Sequence, residues 1–144
     1  MTLEALTPRE ASIFACVCDA VVAPRPPLPA VSETDAASFF DWWLVRSPRA
    51  HRAALRVLLY AAELAPRALG FGHRLRDLPP AERARAVAAL EGARRPAVHR
   101  LVKLLRSIAF LAYYGDERVM ALVGYDAGAK VARSHALRRG EGRP

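Results

Sequence analysis

The sequence predicts an all-α fold, a compact bundle of about five to six helices with no sheet. Three observations carry that expectation. Apolar residues recur at helical spacing over long stretches, and cap residues and prolines stand where those stretches begin or end. No β-alternation of convincing length interrupts them. The 144 residues are 53% hydrophobic, enough to exclude a disordered chain. A domain of this length buries roughly 70% of its unfolded surface.

Each helix has its own signals. Thr7-Pro8-Arg9-Glu10 reads as a capping box with proline at the first helical position, and Ile13, Phe14, Val17 and Val21 follow at helical spacing. Pro24, Pro26, Pro27 and Pro29 then require a short extended connector. Ser32 to Asp35 opens a second helix through Phe39, Phe40, Trp42 and Trp43. Ser47-Pro48 ends it and caps a third, expected from Pro48 to Ala65, which buries Ala54, Leu55, Leu58, Leu59 and Ala62. Pro66 to Leu78 reads as irregular. Asp77 to Glu82 starts a fourth helix running to Gly92, and Pro96 starts the longest, to about Tyr114, with Val98, Leu101, Leu104, Leu105, Ile108 and Ala112 inward. Asp116 caps a last short helix that ends at Gly124. Residues 1–126 are thus expected to form one domain, and 127–144 a basic, flexible C-terminal tail.

The formal charge of +8 invites a nucleic-acid reading, but it is diluted. Half of it lies in the tail, where five basic residues face one acid, Glu141. Only Lys103 and Lys130 among the 22 basic residues are lysine, a bias that a GC-rich genome also produces. Two stripes, Arg49/Arg52/Arg56 and Arg100/Lys103/Arg106, are where a nucleic-acid-binding protein would make phosphate contacts. That function is kept as the alternative, with nucleic acid judged the lesser partner.

Other chemistry finds little support. The apolar runs fall far short of the roughly 20 residues of a membrane span. Met1 to Leu6 has no cationic segment of a leader, so a cytoplasmic product is expected. Cys16 and Cys18 point about 200° apart on a helix and cannot share a metal or a disulfide there. His51, His73, His99 and His135 join no motif, and Gly70-Phe71-Gly72 lacks the spacing and the strand of a phosphate loop. Asp19, Asp41, Glu63 and Asp116 are possible acids or bases, though such residues more often cap helices or sit in solvent. An enzyme in its own right is not expected: no catalytic, cofactor-binding or metal-binding residue is assigned.

The aromatics are more informative. Phe39, Phe40, Trp42 and Trp43 span about 160° of helix circumference, wider than the usual buried stripe of about 100°. Either several helices cover that arc, or part of it faces a partner. Trp42, Trp43, Tyr113, Tyr114 and Tyr125 are the candidate interface anchors.

Three blocks carry a family resemblance: Leu6 to Glu10 with Asp19-Ala20-Val21; Leu78-Pro79-Pro80-Ala81-Glu82-Arg83; and Ala112-Tyr113-Tyr114-Gly115-Asp116 running to Gly124-Tyr125-Asp126. Together they resemble the gluconate 2-dehydrogenase subunit 3 family. The last block is the most specific. Glu117 stands where that family favours Pro, and Met120 where an aromatic is common. The resemblance implies a small helical accessory subunit with no cofactor of its own. Its partner would be a large flavin-dependent oxidoreductase of the glucose-methanol-choline type, which holds FAD and oxidises an alcohol or sugar. In several family members the small subunit carries a twin-arginine leader and helps its partner fold and leave the cell; this sequence starts without one.

Overall fold

The computed structural model describes residues 2–138, with Ala127 and Arg138 as backbone only. Among the described residues the fold is all-α, as the periodicity predicts, and no strand occurs. The helices are α1 (Pro8–Val22), α2 (Ala36–Arg46), α3 (Arg49–Ala68), α4 (Pro80–Glu91), α5 (Pro96–Tyr114), α6 (Glu117–Leu122) and α7 (Ala127–Arg138). Short 3-10 turns at Val31–Glu33 and Leu75–Asp77 join them.

Helix α1 lies at the centre, packed against α2, α3, α4 and α5. Its start is the expected capping box: the Glu10 N–H donates to Thr7 Oγ1 at 3.2 Å, and Glu10 Oε2 accepts the Thr7 N–H at 2.8 Å. Ile13, Phe14, Val17 and Cys18 form its buried face. Phe14 stacks on Phe40 of α2 with ring centroids 4.2 Å apart, a pairing worth about 0.5–1.5 kcal/mol beyond its buried area. Leu44, Leu59, Leu75, Ile108, Ala109, Ala112 and Val119 complete the core.

Two buried carboxylates hold the chain ends of this core in place. Asp41 accepts the N–H groups of Glu4, Ala5 and Leu6 at 3.0, 2.9 and 2.7 Å, which pins the segment before α1 onto α2. Asp116 caps α6 through the Arg118 and Val119 N–H groups, and its other oxygen accepts the Asp35 N–H at 3.0 Å, joining α6 to the start of α2.

Several boundaries differ from the sequence expectation. Ser32 and Glu33 belong to a 3-10 turn, so α2 starts only at Ala36. Ser47 does not cap α3; its hydroxyl donates back to the Trp43 carbonyl and closes α2. Helix α3 runs through Pro66 to Ala68, because a proline one turn from the end forfeits a single N–H, and the Leu69 and Phe71 N–H groups still close that turn. Ala54, Leu101 and Leu104, expected inside, are exposed. Residues 127–138, expected as a flexible tail, form α7, which packs extensively against no other helix. The remainder of that segment, 139–144, lies outside the described residues.

Candidate functional site

The five aromatic candidates do not share one environment. Tyr113 is a core residue: its ring is fully buried, and its hydroxyl donates to the Pro29 carbonyl at 2.7 Å. Burial, and then the nearby Tyr114, Asp116 and Glu33, push its hydroxyl above the usual tyrosine range. As an interface anchor it is therefore set aside. It ties the proline-rich connector to α5. Trp43 is half-buried, with the Phe39 ring edge-on at 5.9 Å, and packs against the core.

Trp42, Tyr114 and Tyr125 do face outward. Trp42 is 51% exposed and carries the Arg46 guanidinium over its ring at 4.4 Å. The aromatic arc on α2 thus divides. Phe40 enters the core, Phe39 and Trp43 straddle its edge, and Trp42 leaves it. Tyr114 stacks on Phe110 at 5.9 Å and stands edge-on to Tyr113 at 5.2 Å. The Tyr125 ring lies under the Lys130 ammonium at 4.3 Å.

Two shallow grooves connect these rings. One, of about 420 Å³, runs between Trp42 and the start of α6 over Phe39, Ser38, Asp35, Asp116 and Gly115. The other, of about 480 Å³, is walled by Phe110, Leu111, Tyr114, Met120, Val123 and Tyr125. Gly115 borders both. A side chain there would bring Cβ within 2.6 Å of the Leu111 carbonyl oxygen, so glycine is required by close approach. Asp116, in the first groove, is held below the usual carboxylate range: burial opposes ionisation, but the backbone donors of Asp35, Val119 and Arg118, and then the Arg118 charge, outweigh it.

Leu111, Leu122 and Val123 also belong to this outward surface. Sequence reasoning assigned none of them to it, although a signal existed. Leu111, Leu104, Ile108, Leu105 and Tyr113 sweep about 200° of α5 at 100° per residue, more than one packing face needs. The surplus, Leu104 and Leu111, is exposed.

The possible acids and bases have structural partners. Asp41 and Asp116 accept backbone N–H groups, the buried Glu63 pairs with Arg76 at 2.8 Å, and Asp19 lies 3.7 Å from Arg83. Among the described residues, no group of three or more His, Cys, Asp and Glu is placed to hold a metal ion, and no helix is long and apolar enough to cross a membrane. The arginine stripe on α3 is not free. Arg52 donates to the Val45 and Ser47 carbonyls, and Arg56 pairs with Glu10 and donates to the Ala5 carbonyl. Comparison of the chain with known proteins finds no matching family model, no matching curated protein and no matching solved structure.

Proposed function

We propose that this chain is a non-catalytic accessory subunit that binds and stabilises a large FAD-dependent oxidoreductase acting on an alcohol or sugar. The family resemblance supplies the partner's class. The observation that supports a binding role is the outward aromatic surface: Trp42, Tyr114 and Tyr125 stand around two adjoining grooves and are joined by exposed Leu111 and Val123. Aromatic side chains in such settings are the usual hot spots of protein interfaces. The flavin belongs to the partner, and this chain contributes buried area and a rigid frame.

The test is to look in the adjacent reading frames for a large chain with an amino-terminal dinucleotide fingerprint and to co-express it with this one. The two chains should co-elute on gel filtration, and the partner's yield of soluble, FAD-loaded protein should rise. Independent migration of the two, with unchanged FAD content, would overturn the reading.

A further inference from the structure

Val57, on α3, is the most exposed large hydrophobic side chain among the described residues, at 70%, and Leu64, two turns further on, is 48% exposed. They belong to one line. Ala50, Ala54, Val57, Ala61, Leu64 and Ala68 follow one another at alternating steps of four and three, and all six are exposed. At 100° per residue they fall within an arc of about 80°. The charged side chains of α3, Arg49, Arg52, Arg56, Glu63 and Arg67, all fall within a strip of about 60° centred about 130° away. A surface helix ordinarily turns its charges to water and a single apolar stripe to the core. Helix α3 already buries Leu55, Leu58, Leu59 and Pro66 on its core face, so the line through Val57 is a second apolar face, turned outward. The exposed side of α5, by contrast, carries Arg100, Lys103 and Arg106.

Steps of four and three are the heptad spacing of a helix–helix seam, in which each apolar side chain enters a space between residues of the facing helix. The two larger side chains decide what fits against this one. When α3 pairs antiparallel with itself so that opposed residue numbers sum to 118, Leu64 meets Ala54 of the second copy, Val57 meets Ala61, and Ala50 meets Ala68. The two-fold axis repeats each pairing in reverse. Every large side chain then faces a small one, as interdigitating layers require. A parallel pairing would set Leu64 on Leu64 and Ala61 on Ala61, alternating crowding with gaps. Alanine also lets the two axes approach closely and gives up no rotamer freedom on burial. No charge is buried in this register; Arg49 and Arg67 stay outside the seam, near each other across its two ends. A lipid surface fits less well, because helices that lie in it insert Trp, Phe or Leu, and four of these six residues are alanine.

We propose that the outward face of α3 is a homodimer interface, with two copies packed antiparallel about a two-fold axis at the level of residue 59. The seam is about 30 Å long, small beside a standard interface of about 800 Å² per partner. The half-open apolar cavity bordered by Ala61 and Ala65 adjoins it and is partly roofed by the second copy. The dimer is therefore of the transient class, with a dissociation constant between about 1 and 100 μM. None of the six residues borders the two aromatic grooves, and the proposal does not depend on the accessory-subunit reading.

The experiment is sedimentation equilibrium of the full chain up to millimolar concentration, beside co-sedimentation with phosphatidylglycerol vesicles. A monomer–dimer equilibrium should appear, and it should tighten as salt rises to about 0.5 M, which screens Arg49, Arg67 and the net charge of +8. Val57→Glu and Leu64→Glu, both at exposed positions, should each abolish the dimer and leave the thermal midpoint of the dilute chain unchanged. Ala54→Leu should weaken the dimer at least tenfold. Adding Leu64→Ala, which restores a large–small pair in the same register, should return it to within threefold of the parent. A chain that stays monomeric at millimolar concentration overturns the proposal. So does a dimer that Leu64→Glu leaves intact or that loosens with salt, failure of Leu64→Ala to rescue Ala54→Leu, or association with vesicles in place of a dimer.

Discussion

Asp41 shows what one side chain contributes here. Three consecutive backbone N–H groups converge on its carboxylate. Burial opposes its ionisation, but those donors outweigh burial and hold it below the ordinary carboxylate range. Asp116 is shifted the same way. A carboxyl group whose folded value lies below its unfolded value stabilises the fold fully above the unfolded value of about 4, and loses that contribution as the pH falls through the folded value. Thermal midpoints should therefore fall steeply below about pH 4. Asp41→Asn should flatten that acid limb and cost about 3 kcal/mol at pH 7, since the amide offers these donors a weaker, uncharged acceptor. Urea titrations at pH 3 and pH 7 check both, and an acid limb identical in the variant would refute the assignment. The two thiols give a second expectation. Burial pushes Cys18 up to about 12, with the Asp19 and Cys16 charges adding to the effect, and it raises Cys16 although Arg83 works against it. At pH 7.5 a disulfide reagent should label neither quickly and both within the mixing time in 6 M guanidinium. Fast native labelling of Cys18 would show that it is not buried as described.

The helices were legible where local chemistry alone decides them. The Thr7/Glu10 box, proline at the starts of α1, α4 and α5, and Gly115 after α5 each act within a few residues, and the structure uses them all. What the sequence misplaced depends on distant groups. Ser47 was read as a cap by type, yet the nearer free carbonyl at Trp43 takes its hydroxyl. Tyr113 and Tyr114 look alike in sequence, but only Tyr113 meets the Pro29 carbonyl, 84 residues away. The role of Gly115 is sharper than that of a helix stop. Its missing Cβ permits contact with the Leu111 carbonyl, and it sets α6 and the Asp116 clasp against α2. Gly115→Ala should lower stability by about 1–3 kcal/mol through that overlap, and equilibrium denaturation measures it. A loss under about 0.5 kcal/mol, the ordinary range of a surface change, would mean that the backbone yields freely there.

At the scale of the whole molecule, charge and aromatic surface are separated along α5. Its first half carries Arg100, Lys103 and Arg106, while its end meets Asp35, Asp116, Glu117 and Arg118 in the groove beside Trp42. This division argues against a single extended phosphate-binding face, the more so because Arg52 and Arg56 on α3 are committed to internal acceptors. It also makes the proposed binding role separable from folding. Trp42 stacks on Phe39 and carries Arg46 over its ring, and Tyr125 lies under Lys130; both rings are exposed and neither is in the core. Trp42→Ala and Tyr125→Ala should each leave stability within about 0.5 kcal/mol of the parent. Their combination should weaken capture of the proposed flavoprotein partner at least tenfold, about 1.4 kcal/mol. Tyr113→Phe should do the reverse. It removes the hydroxyl bond to Pro29, costs about 1 kcal/mol of stability, and leaves partner binding unchanged. Thermal melts and surface-immobilised binding on the same preparations separate the two effects. If Tyr113→Phe reduces binding as much as the exposed pair does, the partner reads the proline-rich connector instead of the aromatic grooves.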